Sequence, residues 1–252
     1  MPYDSFAAFY DELTNNVCYE KRAEYYKKIL SKNGISKGIL LDLGCGTGSM
    51  SVEMAKNGYD VTGVDTSVDM LMKAREKAIA SGKDILLLNQ SMTELDLFGT
   101  VDCAISVLDC INHLSSEDEV QKAFKDVSLF MNPGGIFAFD VNTIYKHREV
   151  LGNNTFVYDC DNVYCVWQNT TEGNKTDIYL DFFSSDDDIT YYRDCEDFSE
   201  IAYEIEEIKE MLKNAGFETL NIFEDMTEKE IPDEKYIYDN KIEKAVFVAR
   251  KK

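Results

Sequence analysis

The segment Asp42-Leu43-Gly44-Cys45-Gly46-Thr47-Gly48 lies between a short apolar run and a stretch of helical period. Glycines at alternate positions remove Cβ atoms, so the backbone can turn sharply and approach a ligand closely. In open α/β sheets the strand-to-helix turn is the crevice where ligands bind. Asp65 follows Gly44 by 21 positions, at the end of the next apolar run, where a carboxylate can accept both hydroxyls of a ribose. Together the loop and Asp65 predict a nucleoside site. The spacing Gly44-x-Gly46-x-Gly48 departs from G-x-G-x-x-G, and no phosphate-gripping lysine follows, which disfavours dinucleotides and nucleoside triphosphates.

A second candidate is Val107-Leu108-Asp109-Cys110-Ile111-Asn112-His113-Leu114, at the end of the fourth apolar run. His113 is one of 2 histidines. An imidazole titrates near neutrality and can take a proton from a substrate amine or hydroxyl. The competing reading is an exposed loop histidine. His147, beside Arg148, reads as structural. The 7 cysteines are odd in number and form no C-x-x-C pair, which argues against a disulfide framework and a zinc ribbon. Asp186-Asp187-Asp188 reads as a solvated turn, and no metal site is expected.

These residues need strand ends and helix starts to hold them. From Gly38 short apolar runs alternate with helix-period segments, the sequence form of βαβ units around a parallel sheet. Strands are expected at residues 39–43, 60–65, 85–88, 101–108 and 136–141, and helices at 49–57, 67–80 and 116–131. In the second helix Val68, Leu71, Met72 and Ile79 form the expected core face. The third opens on a capping box, Ser116 with Glu119, and stops at Asn132-Pro133-Gly134-Gly135.

After Thr143 the rhythm changes to aromatic and β-branched runs at 156–158, 163–167, 178–183 and 189–192. Turn clusters such as Thr171-Glu172-Gly173-Asn174 separate them, which argues for antiparallel hairpins. Helical period returns at 203–215, and two more strands fit at 219–223 and 245–249. The expected fold class is α/β: a seven-stranded, mostly parallel sheet with helices on both faces, interrupted by a small antiparallel β insertion. Residues 1–143 and 203–252 would form the main domain, with 1–37 as a helical cap, and 144–202 the insertion.

At 252 residues, 44% hydrophobic and 29% charged, the chain has the composition of an ordinary soluble globule. Its 26 Lys and Arg against 47 Asp and Glu leave a net charge of −21. Such a field repels phosphate backbones and anionic lipid, so neither nucleic acid nor membrane is an expected partner. The charge is lopsided, with 24 acidic and 6 basic residues between Leu151 and Asn240, −18 there and −3 elsewhere. The excess reads first as a solvated surface and second as a docking face for a cationic acceptor. The acidic, aromatic opening Met1-Pro2-Tyr3-Asp4 does not read as a signal segment and no apolar run reaches membrane length, so with thiols that suit a reducing compartment a cytoplasmic location is expected.

The run Leu41 to Gly48, followed by Gly63-Val64-Asp65-Thr66-Ser67 and Met70-Leu71, resembles the class I S-adenosylmethionine-dependent methyltransferase family. The likeness is to its small-molecule type, with uncharacterised bacterial members and amino-sugar or glycine N-methyltransferase relatives. It runs from about Gly38 to Asn142 and implies a Rossmann-like sheet of order 3-2-1-4-5-7-6 with an antiparallel last strand. Lys213-Asn214-Ala215-Gly216-Phe217 resembles the family's helix end before the sixth strand.

Carried over position by position, the resemblance puts the methionine end of S-adenosylmethionine at Asp42, Gly44 and Gly46 and the ribose on Asp65. Cys45, Gly48 and Leu108 complete the cofactor set. Thr66 and Met70 would border the adenine. Many relatives have an acidic residue and then Met after the third strand. Here Ser91-Met92 stands there, and a hydroxyl reaches the adenine edge without charge assistance.

Asp109 and Asn112 would face the acceptor. So would Tyr3 and Tyr10, in a segment that resembles the pocket-capping helix of small-molecule members. The implied reaction is methyl transfer to a nitrogen or oxygen of a small molecule, with His113 as the catalytic base for a protonated nucleophile. An RNA methyltransferase would share the domain but show a basic face, and a non-catalytic cofactor-binding interaction protein is the other alternative. The insertion is expected to wall the acceptor side, or else to bury a surface between the subunits of a homodimer.

Overall fold

The computed structural model describes residues 6–160, 163–185 and 189–252, with side chains from Phe9 onward. Tyr3 and Asp186-Asp187-Asp188 lie outside the described residues. In chain order the elements are α1 (Phe6–Leu13), α2 (Tyr19–Lys32), β1 (Ile39–Leu43), α3 (Ser49–Lys56), β2 (Asp60–Asp65), α4 (Val68–Ser81), β3 (Ile85–Asn89) and β4 (Val101–Ser106). Next come α5 (Glu117–Leu129), β5 (Met131–Asn142), β6 (Thr155–Asp159), β7 (Val163–Glu172), β8 (Lys175–Ser184) and β9 (Tyr192–Ile201). The chain closes with α6 (Ile205–Asn214), β10 (Phe217–Glu224), α7 (Glu234–Asn240) and β11 (Lys244–Lys251). Short helical turns at Cys110–His113 and Lys146–Leu151 follow β4 and β5.

The main sheet has 7 strands in the order β3-β2-β1-β4-β5-β11-β10. β11 runs antiparallel to both of its neighbours while the other pairs are parallel. This is the order the resemblance implies. Successive side chains of β1 enter opposite cores, as a strand's period of two requires. Leu41 and Leu43 pack with Phe124 of α5 and Leu212 of α6, and Leu40 packs with Leu30 of α2 and Met54 of α3. A strand covered on both faces is a continuous apolar run. The second sheet is antiparallel, ordered β6-β7-β8-β9.

Four expectations need correction. On α4, Val68, Met72 and Ile79 are exposed, and the buried stripe is Met70, Ala74 and Ala78. α4 lies so close to the loop before α3 that a Cβ on Gly48 would come within 2.7 Å of Ala74 Cβ, so small residues form the contact and larger ones face out. α5 stops at Leu129, and β5 begins at Met131. Asn132 to Gly135 bulge out of β5, because pairing steps from Val101↔Met131 to Cys103↔Ile136.

The fourth inserted strand is Tyr192–Ile201 rather than 189–192. It is too polar to read from apolar content, but it is an edge strand paired along its length with β8, where outward charges are tolerated. α7 was not expected. It is started by Asp233, whose Oδ1 accepts the Tyr236 N–H at 2.8 Å. Among the described residues no helix is long and apolar enough to cross a membrane.

Candidate active site

Gly44, Gly46 and Gly48 all have positive φ, +76°, +51° and +75°. A Cβ at Gly44 would come within 2.7 Å of Cys110 Sγ, so that glycine makes room for the turn after β4. One at Gly46 would meet nothing within 4 Å. The backbone there faces open space at the carboxyl end of the sheet, a cradle a ligand can approach. Gly46 N–H donates to Asp65 Oδ2 at 2.8 Å and Ser67 N–H to Asp65 Oδ1 at 2.9 Å. Asp65 thus ties the first loop to the second, and each oxygen keeps a lone pair for a further donor. Burial pushes its carboxyl up, against the pull of these backbone bonds.

Asp42 is 1% exposed and accepts one bond, from Ser51 Oγ at 2.5 Å. Burial, opposed by the Ser51 bond and reinforced by Asp65, pushes its carboxyl up to about 6. A buried carboxylate with a neutral donor and a second carboxylate nearby favours the arrival of a cation.

α1 is held over the loop. Thr47 Oγ1 donates to Asp11 Oδ1 at 2.9 Å, and Lys77 Nζ donates to Asp11 Oδ1, Thr47 Oγ1 and Ser49 Oγ at 2.6, 2.8 and 2.7 Å. Phe9 stacks on Phe182 of β8 with ring centroids 5.8 Å apart. Tyr10 joins the same apolar cluster, and so does Met70, which is packed among Val163, Cys165, Ile178 and Leu180 of the inserted sheet. Thr66 is exposed. Ser91 Oγ lies 2.8 Å from Thr93 Oγ1 in a local turn, while Met92 reaches back towards Gly44.

After β4 the chain passes through Leu108 and Asp109 at φ +65° and +57°, a conformation costing each roughly 1–2 kcal/mol. Fully buried Asp140 on β5 offsets the strain. Its Oδ2 accepts Leu108 N–H at 3.0 Å and its Oδ1 accepts Asp109 N–H at 2.7 Å, and Tyr26 Oη donates to it at 3.1 Å. Lys244 and Arg22 flank it at 3.3 and 3.6 Å, and Arg22 also grips both oxygens of Asp225 at 2.9 Å.

Asp109 accepts from Lys244 Nζ at 2.7 Å and from Asn142 Nδ2 at 2.6 Å. Burial alone would raise the Asp109 carboxyl, but Lys244 holds it well below the usual carboxylate range. Asn112, 1% exposed, donates to Asn142 O and Ile201 O at 3.2 and 2.9 Å and accepts Asn142 N–H at 2.9 Å. Its amide joins the ends of β5 and β9. His113 leaves 27% of its side chain exposed, with its ring 5.1 Å from that of Phe198 on β9 and its Nε2 3.9 Å from Glu200 Oε1.

Residues 40–135 match a family model described as a methyltransferase domain. Over 100% of both chains the sequence is 35% identical to a Geobacillus sp. (strain WCH70) protein whose name is "putative methyltransferase". The crystal structure of an S-adenosylmethionine-dependent methyltransferase from Clostridium acetobutylicum ATCC 824 matches at a TM-score of 0.87 and 30% identity, over 99% of this chain and 98% of that one. The chain belongs to the S-adenosylmethionine-dependent methyltransferase family. An S-adenosylmethionine-bound amino pentose methyltransferase from Micromonospora echinaspora, CalS10, shares the fold with a TM-score of 0.76 at 19% identity, over 100% of this chain and 98% of that one.

The residues of this methyltransferase fit its cofactor. Gly46 offers open backbone, Asp42 a buried anion suited to an ammonium group, and Asp65 acceptor capacity for ribose hydroxyls. Asp140, Arg22, Lys244, Asp11 and Glu200 carry much of the site and were not legible as site residues, because each reaches it from an element remote in sequence. A separate concavity lined by Asp60, Val68, Met72, Arg75 and Leu86 lies by the amino ends of β2 and β3, away from this edge.

Proposed function

We propose that this methyltransferase moves a methyl group to a nitrogen or oxygen of a small molecule that reaches His113 between the two sheets. The position of His113 carries the reading. It sits past the carboxyl end of β4, its ring tilted against that of Phe198 of the inserted sheet with centroids 5.1 Å apart, on the same edge of the main sheet as Asp65 at the end of β2. Asp42, Gly44, Gly46 and Asp65 would hold S-adenosylmethionine, whose sulfonium presents an electrophilic methyl. The chain mainly positions the acceptor and excludes water, a proximity effect worth roughly 7–11 kcal/mol. His113 takes the proton of a nucleophile that arrives protonated.

In this reading residues 1–143 and 203–252 hold the cofactor, and 144–202 wall the acceptor pocket. The shared packing of Met70, Phe9 and Tyr10 with the inserted sheet supports that placement, and the −18 charge of residues 151–240 favours a neutral or cationic acceptor. The amino pentose of CalS10 is an acceptor of that kind.

Methyl-labelled S-adenosylmethionine should be incubated with matched amines and alcohols and the products identified by mass spectrometry. Label is expected in a small-molecule product. His113→Ala should lower turnover by about 10²–10⁴-fold while cofactor affinity holds. Label found in tRNA alone, or cofactor binding with no transfer to any acceptor, would favour the RNA or non-catalytic alternatives.

A further inference from the structure

The 2 histidines of the chain face one carboxylate. Glu200 on β9 has a side chain 4% exposed, with Oε1 3.9 Å from His113 Nε2 and Oε2 3.4 Å from His147 Nε2. Asn142 Nδ2 donates to Glu200 Oε2 at 2.9 Å and to Asp109 at 2.6 Å, bridging the two acids. Among its neighbouring acids, Asp109 is paired with Lys244, Asp140 with Lys244 and Arg22, and Asp225 with Arg22. Among the described residues the ion pairs of Glu200 are to histidine alone.

His147 is fully buried, with Nδ1 3.0 Å from Thr176 Oγ1 and Nε2 aimed at Glu200 without a hydrogen-bond partner. Burial would raise the Glu200 carboxyl, yet the His147 contact and the charges of His113 and His147 outweigh burial and the opposing charge of Asp109, and hold it below the usual range. A buried anion without a fixed cation suits a cation that comes and goes.

Asp109, His113 and Glu200 bring one donor atom each to within 4.8 Å of one another. Acceptors sharing an ammonium nitrogen at about 2.8 Å in tetrahedral directions stand about 4.6 Å apart. Ligands of a metal at about 2.1 Å stand only about 3.4 Å apart. The 3.9 Å between His113 and Glu200 falls between these two spans, so charge decides: Lys244 already balances Asp109, and the one negative charge left on Glu200 suits a monovalent ammonium better than a divalent metal.

We propose that Asp109, His113 and Glu200 form an ammonium site and that the acceptor is an amine arriving as its cation. The two carboxylates bind it. One N–H bond then breaks, its electron pair stays on the amine nitrogen, and the proton bonds to His113 Nε2. The imidazolium later releases that proton to solvent. The proposal rests on the methyl-transfer reading and adds to it a substrate class and a binding residue from the inserted sheet.

With two histidines, imidazole NMR gives two sets of signals, assigned by a His113→Gln variant. Methylammonium chloride should be titrated with and without saturating S-adenosylhomocysteine. It is expected to shift the His113 signals saturably, while methanol and sodium chloride at equal ionic strength do not. Glu200→Gln should weaken that response by at least about tenfold and leave S-adenosylhomocysteine affinity unchanged in calorimetry. A methylammonium response no larger than that to sodium chloride overturns the proposal, as does one undiminished in folded Glu200→Gln. The wild-type comparison decides even where the variant does not fold. Failure of S-adenosylhomocysteine to bind the wild type would strike the methyl-transfer reading instead, which calorimetry reads separately.

Discussion

Asp42→Asn isolates the cost of burying a carboxylate beside the glycine loop. The Asp42 carboxyl is 1% exposed and is pushed up to about 6 from 3.8, chiefly by burial. A shift of about two units corresponds to roughly 3 kcal/mol. Between about pH 4 and pH 6 the folded chain holds a proton that the unfolded chain has released, so wild-type stability falls as pH rises through that window and stays lower above it. The amide keeps an oxygen for the Ser51 hydroxyl and has nothing to ionise. Without cofactor the variant should match the wild type near pH 4 and exceed it by roughly 3 kcal/mol at about pH 7. Urea unfolding across this pH range, in reducing buffer, measures the difference. The same change should weaken S-adenosylmethionine binding by more than about tenfold, through loss of a charged partner. A stability difference that is flat with pH would refute the burial cost, and unchanged affinity would remove Asp42 from the cofactor site.

Asp65→Ala should weaken S-adenosylmethionine binding by about 1.5–3 kcal/mol in calorimetry, and an unaltered Kd would place the ribose elsewhere. Gly46→Ala and Gly48→Ala both put a Cβ at positive φ, at about 1 kcal/mol each. Only the second collides with Ala74, at 2.7 Å, so it should lose a further 1–3 kcal/mol or so, whereas Gly46→Ala should stay folded and lose cofactor affinity. Thermal unfolding beside calorimetry tests this, and the opposite pattern would contradict the assignment of open space to Gly46. Asp140→Asn removes one of the two acids that Lys244 and Arg22 each face, leaving them Asp109 and Asp225, and should cost roughly 1.5–3 kcal/mol in urea unfolding. A loss under about 1 kcal/mol would mean that the Leu108–Asp109 turn does not depend on this clamp.

The meeting of the glycine loop with Asp65 was legible in sequence because its parts are local. A strand, a glycine turn and a helix are contiguous, and the parallel register Asp42↔Gly63 and Leu43↔Val64 brings the end of β2 beside the end of β1. Asp65 therefore meets Gly46 with little help from elsewhere. The alternation of elements likewise determined the layered α/β plan, since each period names the secondary structure that can bury its apolar residues. Periodicity did not choose the buried face of α4, because exclusion by the backbone at Gly48 outranks hydrophobicity there.

Around the ends of β4 and β5 and the inserted sheet only the tertiary structure decided. Asp140, Arg22 and Lys244 come from β5, α2 and β11, and their meeting depends on β11 running beside β5 with Lys244 opposite Asn142. Glu200 lies in an acidic run that looks solvated, and it is buried because β9 pairs with β8 and the end of β9 is joined to β5 through Asn112. Charge in a sequence reports its sign. Whether a carboxylate is solvated, clamped by a cation or left waiting for one depends on which distant strands the fold sets beside it.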